Sequence, residues 1–248
     1  MSLTHISQSS KDVLDAVKNV LKKYFDPMVS YYLEFTDLIG DSSCDDLMKF
    51  WVKVEEKKDV MEFLLFDNCF NIFHFAAQFA RQMLVFEFLW LKIKMFVNGS
   101  NNLYKLLHLK DSQNANALIL SIYYKNSIIF NFLFEEIYCK HFDVEDFIYE
   151  YDNDGDNFLH NLVKFGTVSM LQSGTKKLNK EFQTHKFKDF LKLKNKSQHN
   201  LMHLAAKYNK SNDSLNFLLN LIDKDDLMAM LMEQDEEFYI PIFFGNNV

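Results

Sequence analysis

The sequence predicts an all-α fold, and three observations carry this prediction. Tight turns of strand-rich folds need Gly and Pro, and the chain has only 6 and 2 of them among 248 residues. Hydrophobic residues make up 48% of the chain, which is enough for a substantial core. Similar segments also recur roughly every 43 residues, a period typical of solenoids whose stacked units share one core.

Each recurring segment is a polar turn followed by an apolar helix start, with one anchor residue at the junction. Asn and Asp are the preferred N-caps of helices, because their side-chain oxygen accepts a bond from a first-turn N–H. Pro27 and Pro241 follow the first and last anchors, at the first helical position where proline is tolerated. The anchors, spaced 40 to 45 residues apart, are Asp26, Asn71, Asn116, Asn157, Asn200 and Ile240.

The rest of each unit predicts two further helices. Apolar runs at 85–90, 130–137 and 215–222 indicate a second helix, and Ser173-Gly174-Thr175 predict a break after a short second helix. Short amphipathic segments before the next turn indicate a third helix at 101–111, 143–152, 185–195 and 223–235. The predicted fold is therefore a solenoid of stacked helix pairs with an extra short helix in each repeat.

The period also predicts the domain organisation. Residues 1–25 are expected to form an N-terminal capping helix region, and residues 26–248 the repeat array. The unit that begins at Ile240 stops before a second helix. We expect either a chain cut from a longer protein or an array that ends in an abbreviated cap.

The helix starts after Asn71, Asn157 and Asn200 read IFHFAA, FLHNLV and LMHLAA, and Asp154-Gly155 precede one of them. These segments resemble ankyrin repeats, whose signature is an Asp-Gly turn followed by T-P-L-H-x-A-A. Asn replaces Thr and keeps its capping role. The resemblance covers roughly residues 60–248. It is degenerate in the units at Asn116 and Ile240, where Ile119 and Phe243 replace the His.

Unit length is the main departure from that family, because ankyrin units have about 33 residues. Three helices in about 42 residues is also the armadillo format, which stays open as the alternative. The ankyrin resemblance implies that His74, His160 and His203 bond to the backbone and tie adjacent turns together. It also implies binding of another protein.

Charge and cysteine usage exclude several classes of protein. A net charge of −7 argues against nucleic-acid binding, because an acidic surface repels phosphates. The start of the chain has no secretory signal pattern, and the longest apolar stretch, 83–97, contains Glu87, Lys92 and Lys94, which argues against a membrane span. Three widely spaced cysteines predict free thiols in the cytoplasm, or in a host cytosol or nucleus for a chain from a pathogen or virus.

No pattern in the sequence predicts catalysis. The three repeated histidines would lie about 10 Å apart in successive layers, too far to share one metal ion. The acidic turn at 152–157 lacks the Gly and Glu spacing of a calcium loop. Phosphate-loop, nucleophile-elbow and zinc-helix motifs are absent from the sequence. We expect no enzyme activity, cofactor, metal or small-molecule substrate.

A basic run at 176–196 holds eight lysines interleaved with apolar residues. Two interpretations stay open for it. The lysines form either a solvated helix face or a docking patch for an acidic partner.

The predicted function is non-catalytic binding of another protein through the repeat surface. Two roles stay open: a stand-alone adaptor or inhibitor, including one directed at a host, or the recognition domain of a larger enzyme or channel that continues past Val248. Candidate contact residues at the turn tips are Asn68, Gln113, Asn153, Asp156, Gln198 and His199. Candidates on the helix faces are Gln78, Arg81, Tyr124, Lys164, Lys207 and Tyr208.

Overall fold

The computed structural model describes residues 44–57, 71–97, 100–134, 143, 145–182, 184–208, 213–237 and 239–241, together with Glu34 and Leu38. The predicted capping region 1–25, Asp26 with Pro27, and Asn68 lie outside these residues. The described part of the chain contains helices and connecting turns but no strand. Its thirteen helices are α1 Cys44–Lys57, α2 Ile72–Phe79, α3 Met83–Phe96, α4 Ser100–His108, α5 Ala117–Tyr123, α6 Ser127–Asn131, α7 Glu145–Ile148, α8 Phe158–Phe165, α9 Val168–Glu181, α10 Thr184–Leu191, α11 Leu201–Tyr208, α12 Asp213–Leu221 and α13 Lys224–Met232.

These helices stack in chain order. The first helices of the units, α2, α5, α8 and α11, pack consecutively against one another. The second helices form another row in which each packs on the next; they are α1, α3, α6, α9 and α12. A third helix, α4, α7, α10 or α13, precedes each following turn. The all-helical prediction is confirmed, and the helices follow the predicted order of pairs with a short third helix.

The anchor residues lie at equivalent helix starts, as the period predicts. Asn71, Asn116 and Asn157 are the N-caps of α2, α5 and α8, and their side-chain oxygens accept N–H groups of the first turn. Asn200 accepts the same kind of bonds, of 3.0 and 3.1 Å, at the start of α11. Pro241, directly after Ile240, is also helical. Capping by Asn thus sets where each unit's first helix begins.

The histidine three residues after an anchor completes the cap from the other side. In each case the backbone N–H of the anchor donates to Nδ1 of the histidine ring. The pairs are Asn71 with His74 (3.2 Å), Asn157 with His160 (3.2 Å) and Asn200 with His203 (3.3 Å).

The other ring nitrogen reaches the chain that leads to the next anchor. Nε2 of His160 lies 3.0 Å from the carbonyl oxygen of Leu193, and Nε2 of His203 lies 3.2 Å from that of Tyr239. Because Nδ1 of His160 accepts a bond, its Nε2 carries the proton and donates to the carbonyl. Burial lowers the pKa of both histidines, which favours this neutral form. These bonds tie each histidine to the chain at or just before the following turn.

The polar turns share one geometry, set by the residue five positions before the anchor. Asp111, Asp152 and Asp235 each accept two backbone N–H bonds of 2.8–3.0 Å within their own turn. Asn195 accepts one such bond, of 2.9 Å. These side chains accept the backbone N–H groups that have no backbone partner in the turn, which explains why the residues recur in the sequence.

Backbone hydrogen bonds connect one turn to the next. The N–H of Asn153 donates to the carbonyl of Gln113 (3.1 Å), and the N–H of Lys196 donates to the carbonyl of Asp154 (3.3 Å). The N–H of Glu236 donates likewise to Ser197, at 3.2 Å. The turn tips therefore form a continuous ladder across four units, and this ladder holds the units at a fixed spacing.

The predicted break at Ser173-Gly174-Thr175 is wrong, because α9 continues through it. A Cβ added to Gly174 would lie 2.9 Å from Cδ1 of Leu162, so the missing side chain lets α9 approach α8 closely. The hydroxyl of Thr175 donates to the carbonyl of Leu171 at 2.7 Å. Close packing and this internal bond keep both residues in the helix.

Candidate protein-binding groove

A groove runs along the edge where the first helices end and the second helices begin; we call it the turn groove. It consists of two open clefts that share Lys125. One cleft of about 490 Å³ is lined by Gln78, Ala80, Arg81, Tyr124, Lys125, Asn126, Ser127 and Ile128. The other, of about 530 Å³, is lined by Lys125, Val163, Lys164, Phe165, Gly166, Thr167, Val168, Tyr208, Asp213 and Ser214.

Short capped turns give the turn groove its fixed shape. Asn126 caps α6, and its amide also donates to the carbonyls of Ala77 (3.2 Å) and Ala80 (2.7 Å) at the end of α2. One side chain thus fixes two neighbouring turns relative to each other. Thr167 caps α9 in the next unit. The backbone around the groove is held in place before any partner arrives.

Large apolar and aromatic side chains stand exposed along this edge. Tyr124 is 50% exposed, Tyr208 41% and Ile128 37%. Phe79, at the end of α2, is 36% exposed. Aromatic residues of this kind carry a large share of the binding energy at protein interfaces. Three of these side chains, Tyr124, Ile128 and Tyr208, line the turn groove.

The cations along the turn groove differ in how they are used. Arg81, Lys125 and Lys207 are exposed. Nζ of Lys164 instead lies 2.9 Å from a carboxylate oxygen of Asp154 and 2.9 Å from one of Asp156. Burial lowers the pKa of Lys164, but these hydrogen bonds outweigh burial, and the pKa is raised above its ordinary value. Lys164 therefore stays charged and structural.

The structure brings most of the predicted helix-face residues together. Gln78, Arg81, Tyr124, Lys164 and Tyr208 line the turn groove. The ammonium of Lys207 lies 5.7 Å from the Tyr208 ring, next to it. The exposed tip residues Gln113, Asn153 and Gln198 lie at the other end of the first helices and form a separate surface.

Two predicted contact residues are corrected by their burial. Asp156 has no exposed surface, and besides Lys164 it accepts a 2.7 Å bond from the amide of Asn195. His199 is 8% exposed, and its Nε2 lies 3.2 Å from a carboxylate oxygen of Asp235. Both side chains join one unit to the next inside the stack, so neither presents a contact surface.

Sequence reasoning missed Lys125, which joins the two clefts. The unit anchored at Asn116 is one of the two degenerate units, so the repeat pattern does not mark the turn after its first helix. Lys125 has a φ of 54° and directly precedes the capping residue Asn126. Asn126, followed by Ser127, does indicate a helix start, and this signal could have located the turn at Lys125.

The basic run on and around α10 is largely used within the protein. Its lysines pair with acidic residues of the neighbouring third helices and the segments that flank them: Lys186 with Glu145, Lys188 with Asp223, Lys192 with Asp226 and Lys194 with Glu233. Partners on both sides occupy these four ammonium groups. The run is therefore a solvated face that bridges units, and the docking-patch interpretation is not supported here.

The described residues contain no group of three or more His, Cys, Asp and Glu side chains that could hold a metal ion. The acidic turn at 152–157 uses its carboxylates otherwise. Asp152 accepts backbone N–H groups, and Asp154 and Asp156 bind Lys164. In the same part of the chain, no helix has both the length and the apolar character needed to cross a membrane.

Comparison with known proteins yields a likeness of fold. No protein-family model matches the chain, and no curated protein matches its sequence. A solved structure does match: a chain from the complex of the predatory endopeptidase Bd0816 of Bdellovibrio bacteriovorus with the immunity protein Bd3460. The TM-score is 0.53 at 17% sequence identity, over 81% of this chain and 86% of that chain. The protein is thus similar in fold to a chain that occurs in a protein–protein complex.

Proposed function

We propose that the protein is a non-catalytic binding solenoid of the ankyrin type, which holds a partner protein in the turn groove. The observation that carries this proposal is the row of exposed aromatic and aliphatic side chains at Tyr124, Ile128 and Tyr208. Exposed residues of this size on a preformed surface favour association, because little order has to be imposed on binding.

Two further observations support the proposal. The N-x-x-H caps and the ladder of Asp turns fit the ankyrin resemblance better than an armadillo array. The similar solved chain comes from a complex of an endopeptidase with an immunity protein, so this fold is compatible with binding another protein. We therefore propose a role as an adaptor or inhibitor, ahead of the recognition arm of a larger enzyme or channel.

The groove's chemistry also favours binding over catalysis. A general base needs a pKa near the working pH. Lys164 is the most buried cation of the groove. Burial lowers its pKa, but its hydrogen bonds to Asp154 and Asp156 outweigh burial and raise the pKa further above the working pH. It can position the turn and the Phe165 and Tyr208 rings, which lie 5.1 and 5.2 Å from its ammonium, but it cannot accept a proton.

Site-specific photo-crosslinking tests the proposal. A benzoylphenylalanine is placed at position 124, 208 or 151, and each protein is irradiated in source or host cytosol. Tyr151 is 41% exposed but lies beside a turn tip, so it is a matched control for Tyr208. We expect the same protein adduct from positions 124 and 208 and none from 151.

Affinity capture then checks the contribution of the same side chains. The double variant Tyr124→Ala with Tyr208→Ala should lose the crosslinked partner, and Tyr151→Ala should retain it. Equal capture by all three proteins, or adducts from position 151 alone, would refute the groove as the binding surface.

A further inference from the structure

Building on the proposed function, we infer that the partner enters the turn groove as an extended, acidic segment in which Asp or Glu side chains alternate with apolar ones. The inference concerns the chemistry of the occupant, and it rests on which charges and which apolar groups lie next to one another along the groove.

The first argument is a local reversal of charge. The whole chain carries a net charge of −7, yet the exposed ionisable groups at the centre of the groove, Arg81 and Lys125, are cationic. Neither forms an ion pair with any residue in the described part of the chain. A cationic surface on an acidic protein attracts carboxylates of a partner and repels most of the protein's own surface, which gives orientation as well as affinity.

The second argument concerns where the nearby carboxylates lie and what they pair with. Asp154 and Asp156 pair with Lys164 and line neither cleft. Asp213 lies at the far end of the second cleft, beside Tyr208. The unneutralised positive charge is therefore concentrated around Lys125, where the two clefts meet.

The third argument is that apolar groups alternate with these cations. Tyr124 and Ile128 line the same cleft as Arg81, and Tyr208 lines the cleft on the other side of Lys125. A segment with only acidic side chains would leave these surfaces uncovered. A segment that carries both acidic and apolar side chains would satisfy both kinds of surface.

The stack sets the length of such a segment. The groove passes α2, α5, α8 and α11, which amounts to three steps of about 10 Å between packed helices. An extended chain rises about 3.3 Å per residue, so roughly nine residues span the groove.

A nucleic acid is the competing polyanion. Its uniform phosphate charge would meet Asp213 and the acidic remainder of the surface, and its backbone offers no apolar side chains to Tyr124 and Ile128.

Fluorescence anisotropy on the full chain tests the inference with defined probes. The first probe is a fluorescein-labelled nine-residue peptide in which Glu alternates with Leu and Phe. The second replaces Glu with Gln, the third replaces Glu with Lys, and the fourth is a fluorescein-labelled 15-nucleotide oligo-dT. We expect the Glu peptide to bind about tenfold more tightly than the Gln peptide, with no binding of the Lys peptide or the oligonucleotide.

Charge-reversal variants locate the effect. Arg81→Glu with Lys125→Glu should weaken binding of the Glu peptide at least about tenfold. The matched control is Lys105→Glu with Lys180→Glu, two exposed lysines outside the groove whose reversal changes the net charge equally. The control should stay within about twofold of wild type, because long-range effects are screened at physiological salt. Circular dichroism verifies that both double variants keep their helices.

Several results would overturn the inference: no binding of any peptide, equal affinity for the Glu and Gln peptides, equal losses in both double variants, or Arg81- and Lys125-dependent binding of the oligonucleotide. If the crosslinks at positions 124 and 208 persist in that case, the proposed protein-binding function stands and only the acidic-segment inference falls. If the crosslinks fail as well, both fall.

Discussion

The side-chain amide of Asn200 donates a 2.8 Å hydrogen bond to the carbonyl oxygen of Met230 in the third helix of the same unit. The same amide lies 2.7 Å from a carboxylate oxygen of Glu233, while its oxygen caps α11. One side chain thus starts a helix and attaches it to the third helix that follows. Asn71 does the same with the carbonyl of Leu106.

Because of this double role, we expect substitution by serine to destabilise the protein more at Asn200 than at Asn157. Asn200→Ser keeps a capping oxygen but removes both amide bonds, so it should lower the free energy of unfolding by about 1–3 kcal/mol. The amide nitrogen of Asn157 makes no hydrogen bond within the described part of the chain. Asn157→Ser should therefore cost less than about 1 kcal/mol. Urea unfolding followed by circular dichroism measures both, and equal losses would contradict the double role.

Gly155 and Gln198 occupy the fourth position of two equivalent turns, and we expect substitutions there to change the free energy of unfolding in opposite directions. Gly155 has a φ of 77°, and a Cβ there would lie 2.9 Å from the backbone nitrogen of Lys196 in the next turn. Gly155→Ala should thus lower the free energy of unfolding by about 1–3 kcal/mol. Gln198 adopts a φ of 60° at the same position, where glycine is strain-free. Gln198→Gly should raise the free energy of unfolding by up to about 1 kcal/mol.

Thermal and urea unfolding of these two single variants provide the check. A stabilising effect of Gly155→Ala, or a destabilising effect of Gln198→Gly, would show that the turns tolerate the left-handed conformation for other reasons.

The buried ion pair of Asp156 and Lys164 predicts strong coupling in a double-mutant cycle. Asp156→Ala leaves Lys164 with Asp154 alone and removes the acceptor of the Asn195 amide, so we expect a loss of about 3 kcal/mol. Lys164→Met with Asp156→Ala should recover about 1–3 kcal/mol relative to the sum of the single losses. Lys177 and Glu181, a partly exposed pair on α9, serve as the control, with coupling below about 0.5 kcal/mol.

Equilibrium unfolding in urea of the four proteins of each cycle yields these coupling energies. Additive losses at Asp156 and Lys164 would mean that the two side chains stabilise the protein independently.

The buried histidines predict that acidification destabilises the fold. Burial lowers the pKa of His160 in the folded protein below its ordinary value. At pH values between these two pKa values, the unfolded chain therefore binds more protons than the folded chain. The stabilisation is complete above about pH 6.5 and is lost as the pH falls toward the folded-state pKa. His203 shifts in the same direction.

His160→Gln should therefore reduce the loss of unfolding free energy between pH 7.5 and pH 5.5. His185 is exposed, so His185→Gln should leave that loss unchanged. Urea titrations at the two pH values provide the measurement. An unaltered pH dependence in His160→Gln would show that another group dominates the acid response.

Much of the stack follows from signals within a few residues of one another. Asn157 caps α8 through an N–H three residues on, and Asp152 organises a turn through residues two and four positions on. Side chains and partners that close in sequence meet whenever the local backbone forms. Helix starts, turn positions and the period could therefore be predicted.

The two contact residues that the sequence misjudged have partners 39 and 36 positions away. Asp156 is buried against Asn195, and His199 is buried against Asp235. Gly174 stays helical because it packs against another helix.

The sequence by itself thus determined the units and their order, because capping and turn chemistry act locally. Only the tertiary structure decided which polar side chains face the next unit and which, like Tyr124 and Lys125, line an open groove, because burial depends on how one layer covers the next.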